Sequence, residues 1–203
     1  MKEQFTRKRI IKSAEDLFAA FDFSDVSMRA ISNSARVNIS SIYYYYHSKE
    51  ALLEHILKAT EQLIILHLPC NQKMDNPIDQ LVRFTSDFLS RLLGDSNLIL
   101  IFLKARNGNI EAGLRGYIDR IEAMIASALD TLLDQCRRSG VITLAIPNQI
   151  IINVFFIMMS EAARYKRRYL LANPDGSGQE ALLAAQLHQL RQPIEALFRY
   201  ILV

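Results

Sequence analysis

The sequence predicts an all-α protein of about nine helices, with a small three-helix N-terminal domain over residues 1–48 joined to a larger helical domain over residues 49–203. Three observations carry this. Apolar side chains recur three and four residues apart along most of the chain, the period of helices that bury one face. Helix-starting and helix-stopping residues separate those runs: Ser27, Asn38, Ser48, Asn76 with Pro77, and Pro147 ahead of them, Gly94 and Gly140 behind. Half of the 203 residues are apolar, which excludes disorder and supplies a substantial core.

The first helix places Ile10, Ile11, Ala14, Leu17, Phe18 and Phe21 on one face and Lys12, Glu15 and Asp16 on the other, and ends near Phe21 and Asp22. The next stretch, SMRAISNSARVNISSIYYYYHSK from Ser27 to Lys49, reads as two short helices. Met28 and Ile31 turn inward on the first, Ala35, Arg36 and Val37 break it, and Asn38 caps a second from about Ile39 to Tyr44. Two short helices so joined, the second rich in Ser and Tyr, are the sequence form of a helix-turn-helix. Ser48 then caps a linking helix whose stripe is Leu52, Leu53, Ile56, Leu57, Leu63 and Ile64.

Charge and aromatic placement suggest a partner. The net charge of +3 is compatible with a polyanion without demanding one. Arg7, Lys8, Arg9 and Lys12 lie at the head of the first helix, where positive charge opposes the dipole. A nearby phosphate backbone explains them, and so does a simple solvated basic end. Tyr43, Tyr44, Tyr45 and Tyr46 cannot all face a core, because successive helical residues point about 100° apart. Ile42 and Tyr46 are expected to pin the small domain to its neighbour. Tyr43, Tyr44 and Tyr45, beside Ser40 and Ser41, are expected to meet DNA, with Lys49 completing an anion site at a helix N-terminus.

Residues Arg9 to Leu57, about a quarter of the chain, resemble the N-terminal DNA-binding domain of TetR-family transcriptional regulators. The likeness runs through IIKSAEDLFAAFDF, SMRAIS, ARV and IYYYYHSKEAL. It implies phosphate contacts for Ser27, Tyr43, Tyr45 and Lys49, and places Arg29, Asn38, Ser40 and Tyr44 where phosphates or base edges are read. Two positions depart from the family, which usually has glycine at Asp22 and Arg36. Asp tolerates a left-handed backbone, whereas Arg meets a modest steric cost there.

Downstream, Asn76 and Pro77 open a helix with Leu81, Val82, Thr85, Phe88, Leu89 and Leu92 inward. Leu98 to Lys104, apolar all round, reads as a short buried helix. A long helix from about Ile110 to Ser139 turns Tyr117, Ile121, Met124, Ala128, Leu132 and Cys136 inward. The helix after Pro147 leaves hardly any polar face from Ile150 to Met159 and must be buried on two sides. The last begins with Ser177 and Glu180 in a capping-box arrangement.

A second copy of the chain could cover both final helices as a four-helix bundle. Ile150, Val154 and Ile157 on the first, with Leu183, Leu187, Leu190, Ile194, Leu197 and Ile201 on the second, supply the seam. A homodimer would read both halves of a near-palindromic operator in double-stranded DNA. Alternatively both helices close a monomeric core. The resemblance further implies that residues 49–203 enclose a small-molecule effector whose binding changes the separation of the DNA-reading heads, with repression the usual outcome. Phe84, Phe88, Phe102, Tyr117, Met124, Asn153 and Phe156 are the candidate lining, with Arg106 as an anion partner. Each is also a plausible core residue, and Asn153 needs a hydrogen-bond partner if buried.

Other classes find less support. No GxSxG, HExxH or GxxxxGK arrangement occurs, so no enzyme is expected. A helix-turn-helix used only for protein contacts remains the alternative. Cys70 and Cys136 lack a CxxC partner and read as buried thiols, and His67 with Cys70 lacks the second pair a metal needs, so neither metal nor cofactor is expected. With no secretory signal and no apolar stretch long enough for a bilayer, a cytoplasmic protein without membrane contact is expected.

Overall fold

The structure is a computed structural model that describes residues 2–68, 76–94, 97–108, 110–143 and 145–172. Among them are eight α-helices, one 3-10 turn and no strand. The order is α1 (Lys2–Ala20), the 3-10 turn (Phe23–Asp25), α2 (Met28–Ala35), α3 (Ile39–Tyr46), α4 (Lys49–His67), α5 (Pro77–Leu93), α6 (Leu98–Asn107), α7 (Ala112–Arg138) and α8 (Asn148–Ala172). The expected last helix, with Leu183, Leu187, Leu190, Ile194, Leu197 and Ile201, lies outside the described residues, as does Cys70. No helix among the described residues is long and apolar enough to cross a membrane.

The head is built on Ile10, Ala14 and Phe18 of α1, Ile31 and Ala35 of α2, and Ile42 and Tyr46 of α3, all buried. Leu52 and Leu53 on the first turns of α4 close it from below. In the body, α6 is central. It touches α1, α4, α5, α7 and α8, which is why every residue from Ile99 to Leu103 is buried and why no polar face was visible in its sequence. Around it α5 packs on α7 and α8, while α4 runs along α7.

Three expectations shift. Phe21 is exposed, because α1 ends at Ala20 and the chain turns away before it. Asp22 has φ −70 and ψ 150, so the missing glycine costs nothing there. The buried face of α7 is Leu114, Ile118, Ile121, Ile125, Leu129, Leu132, Leu133 and Cys136, rotated so that Tyr117, Met124 and Ala128 are only half-buried. Burial pushes the Cys136 thiol up to about 11, so it stays protonated and unreactive.

Head and body are joined by cations. The last four carbonyls of any helix lack partners within it, and α1 has no basic residue in its own last turn to meet them. The body supplies two. Lys104 Nζ, from α6, donates to the carbonyls of Phe18 (2.7 Å), Ala19 (3.0 Å) and Phe21 (2.6 Å). From α8, Arg167 Nε donates to Ala20 O at 3.0 Å, and its Nη2 pairs with Asp22 at 3.1 Å. One residue earlier, the buried Lys166 donates to Gly94 O at 2.7 Å and so ties α8 to the end of α5. Asn97, at the start of α6, donates to Asp16 on α1 at 3.1 Å.

Burial first, and Arg167 second, push Lys104 down to about 8 against the opposing pull of Asp22. Between there and its ordinary 10.5 the unfolded chain holds more protons, so this group's contribution to stability rises with pH across that window and is flat below it. Urea unfolding at pH 7 and pH 10 should therefore show wild type gaining on Lys104→Met at the higher pH. A difference that stays constant or shrinks contradicts the buried joint.

Candidate nucleic-acid interface and effector cleft

On α3, burying Ile42 and Tyr46, four residues apart, forces the residues between them outward. Tyr43 is 48% exposed and Tyr44 73%. Ser40 and Arg29 are exposed as well. Tyr45 is half-buried. It meets Tyr44 edge-on at 5.1 Å, and the Arg7 guanidinium lies 5.8 Å from its ring centroid. The outward surface therefore centres on Tyr43 and Tyr44, with Tyr45 on its inner border.

The caps that shape this unit were legible. Ser27 Oγ accepts from Ala30 N (3.1 Å), Asn38 Oδ1 from Ser40 N (2.9 Å) and Ser48 Oγ from Ala51 N (3.0 Å). Each satisfies an orphan N–H of its helix. A hydroxyl accepts and donates at once, so Ser27 keeps its proton, and Asn38 its amide hydrogens, for an outside acceptor.

Arg36 does take the left-handed conformation, φ 51 and ψ 47, and ends α2 through N–H bonds from Arg36 to Asn33 O and from Val37 to Ser32 O. What sequence reasoning missed is how it is held: Arg9 Nη2 donates to Arg36 O at 3.1 Å. Arg9 thus positions the turn, while the Arg36 side chain stays exposed. His47, which ends α3 at φ 57, also went unnoticed.

Lys49 is placed differently from a free phosphate ligand. Its Nζ donates to Phe23 O at 2.6 Å and lies 4.3 Å from the Phe23 ring centroid, tying the start of α4 to the 3-10 turn. An ammonium has three donors, so a phosphate contact is still open to it alongside this bond. Nearby, His55 packs edge-on against Tyr46 at 5.6 Å. Burial, then Arg7 and Lys58, lower its pKa below the ordinary histidine value.

The residues expected to line an effector pocket are dispersed. Phe102 and Phe156 are core, and Phe84 and Phe88 join Phe155 in a buried aromatic cluster with ring centroids 5.3 to 6.5 Å apart. Tyr117 sits on the α4–α7 seam, its hydroxyl donating to Glu54 at 2.7 Å with the Arg120 guanidinium 4.4 Å from its ring centroid. Arg106 pairs with Glu122 at 2.8 Å and covers the Phe156 ring at 4.4 Å, so its charge is already met. Asn153 is exposed, accepting from Gln149 at 3.1 Å, and needs no buried partner because it lies on the outer side of α8. Met124 does line a cavity of about 430 Å³, with Leu68, Gln80, Ala128 and Leu132.

A second cavity, of about 610 Å³, opens where head meets body. Its apolar walls include Phe18, Phe23, Leu53 and Leu103, and its cations are Lys104, Arg164 and Arg167. None of the residues expected to bind an effector lines it.

On α8, Ile150 (52% exposed), Val154 (36%) and Ile157 (62%) share a face with Tyr165 and Leu171, all open to solvent. At about 100° per residue these side chains fall on one side of the helix, opposite buried Ile152, Phe156 and Met159. The helix therefore has the two apolar sides that its sequence required.

Residues 10–56 match the family described as bacterial regulatory proteins, tetR family. The chain is 44% identical over 52 residues to the probable HTH-type transcriptional regulator YttP of Bacillus subtilis (strain 168), a match covering 26% of this chain and only 25% of that relative. It is 21% identical over 160 residues to the HTH-type transcriptional regulator UidR of Escherichia coli (strain K12), covering 78% of this chain and 82% of the other. Among solved structures, FadR of Bacillus subtilis in complex with stearoyl-CoA superposes with a TM-score of 0.68 at 19% identity, covering 96% of this chain and 98% of that one. AibR in complex with isovaleryl coenzyme A and operator DNA superposes with a TM-score of 0.76 at 18% identity, with the same coverage. At these identities the two structures establish a shared fold.

Because Arg9 bonds to the backbone of Arg36, Arg36→Gly keeps that contact while removing the left-handed penalty. Chemical denaturation should find Arg36→Gly within about 1 kcal/mol of wild type, since relief of strain opposes the added freedom of the unfolded chain. Arg36→Val should lose more than about 1 kcal/mol, a β-branched residue being least tolerant of positive φ. Equal stability of the two variants contradicts the assignment.

Proposed function

We propose that this chain, a TetR-family regulator carrying that family's DNA-binding module at residues 10–56, is a ligand-responsive repressor acting as a homodimer on a near-palindromic operator. The observation that carries the reading is the outward surface of α3, where Ser40, Tyr43 and Tyr44 project from a helix buried through Ile42 and Tyr46. Arg7, Lys8 and Lys12 lie exposed on adjoining α1. A short helix of this kind fits the major groove, with hydroxyls for phosphates and ring faces for thymine methyls. Ser27, Arg29, Asn38, Tyr45 and Lys49 border it. The open face of α8 supports the homodimer, since one recognition helix covers few base pairs and two-fold pairing multiplies weak contacts. We divide the chain into a DNA-reading head, residues 1–48, and a ligand-binding and dimerising body, residues 49–203, with α4 as the link. The chain binds and does not catalyse.

Regulators of the same fold have been solved with acyl thioesters of coenzyme A, which makes such compounds the first effectors to screen. Fluorescence anisotropy with duplex genomic fragments at two salt concentrations tests the DNA reading. Affinity should fall steeply with salt, whereas a helix-turn-helix used only for protein contacts shows no salt-dependent duplex binding. Tyr43→Phe should weaken all duplexes several-fold, by about 1 kcal/mol for one hydrogen bond. Tyr44→Ala should instead reduce discrimination between the preferred sequence and others by about 1 to 3 kcal/mol. Unchanged affinity and unchanged preference in both variants contradict the placement of α3.

A further inference from the structure

We propose that the cleft between head and body binds an amphiphilic anion, an apolar body bearing one carboxylate or phosphate, and that Arg164 and Arg167 receive its charge beside Lys104. The proposal rests on the reading of this chain as a ligand-responsive regulator and adds where the effector sits and what class it belongs to. The cavity, about 610 Å³, is of the size that holds a small organic molecule. Phe18, Phe23 and Leu103 give it an apolar wall. Three cations against the single acid Asp22 among the lining residues give it a positive end.

The hydrogen bonds of those cations define what is open to a ligand. Lys104 has all three donors on the carbonyls of Phe18, Ala19 and Phe21, and no carboxylate pairs with it among the described residues. Its hydrogen bonds go to helix-end carbonyls and Asp22 offsets its charge only from a distance, so it attracts an anion without needing to touch it. Arg167 uses Nε on Ala20 O and Nη2 on Asp22. Among the described residues Arg164 pairs only with Glu161, an exposed contact within α8. Guanidinium donors of both therefore remain for a carboxylate or phosphate, which they can grip in bidentate fashion.

Occupancy has a consequence for the head. An anion drawn to Arg167 competes with Asp22, two residues past the end of α1, and any bond it takes from Lys104 is taken from the carbonyls at that end. The ligand thus acts on the contacts that fix the head against α6 and α8. It shifts the head only through this difference in contacts between bound and free states.

Calorimetric titration of the full chain at pH 7 with decanoate, decyl phosphate and decanol, each below its aggregation threshold, tests the site. One or both anions should bind at least ten-fold more tightly than decanol, and the better of the two identifies carboxylate or phosphate as the preferred group. Arg164→Gln should weaken the anion at least five-fold. Arg138→Gln, which removes an equally charged residue outside the cleft lining, should not. Equal binding of decanol and both anions, or equal effects of the two arginine variants, overturns the proposal. The wild-type comparison requires no variant to fold. Duplex binding without additive is measured alongside: its absence refutes the regulator reading, whereas normal duplex binding without anion preference refutes only the cleft.

Discussion

The carbonyls at the end of α1 govern how this molecule is assembled. A helix end buried without partners is costly, and α1 carries no cation of its own to satisfy it. Lys104 and Arg167 reach it from two body helices and occupy the carbonyls of Phe18, Ala19, Ala20 and Phe21. Because these bonds are short-ranged and directional, the orientation of the head is set by where α6 and α8 stand. A body that moved those two helices by even an ångström would have to move α1 or break the contacts.

Within the head, the same economy of contacts shapes the DNA-reading unit. Ile42 and Tyr46 are buried and so turn Tyr43 and Tyr44 to solvent, which makes the core of α3 the reason for its outer surface. The turn before it is held from α1, by Arg9 on the carbonyl of Arg36, and the helix after it is held by Lys49 on Phe23. Basic residues that suggest phosphate binding by sequence therefore divide into two groups. Arg9 and Lys49 hold carbonyls, whereas Arg7, Lys8, Lys12 and Arg29 face solvent.

What the sequence made legible was local. Ser27, Asn38, Ser48 and Asn76 cap the helices they precede, Gly94 ends α5, and the strip Ile99 to Leu103 is buried all round. Each depends on neighbours a few residues away. Contacts such as Lys104 with Phe18 join residues 86 apart, and nothing in spacing announces them. The face of α7 was misjudged because two apolar stripes lie side by side on it, and only packing against α4 and α5 selects Ile118, Ile125 and Leu129 over Tyr117, Met124 and Ala128. Asn153 was misplaced for a related reason: surrounded in sequence by apolar residues, it lies on the outer face with Ile150, Val154 and Ile157. The expected effector lining failed to converge because aromatic residues at helical spacing fill a core as readily as they line a cavity, and the cleft's cations were hidden among ordinary surface charges.

Cations from α6 and α8 hold the end of α1 and thereby fix the head to the body. Amide hydrogen exchange on wild type and on the double variant Lys104→Met, Arg167→Gln measures this directly. Faster exchange confined to residues 17–25, with α2 and α3 keeping their protection, is the result expected if those two side chains secure the joint. Unchanged exchange across residues 17–25 would show that the head is held by something else.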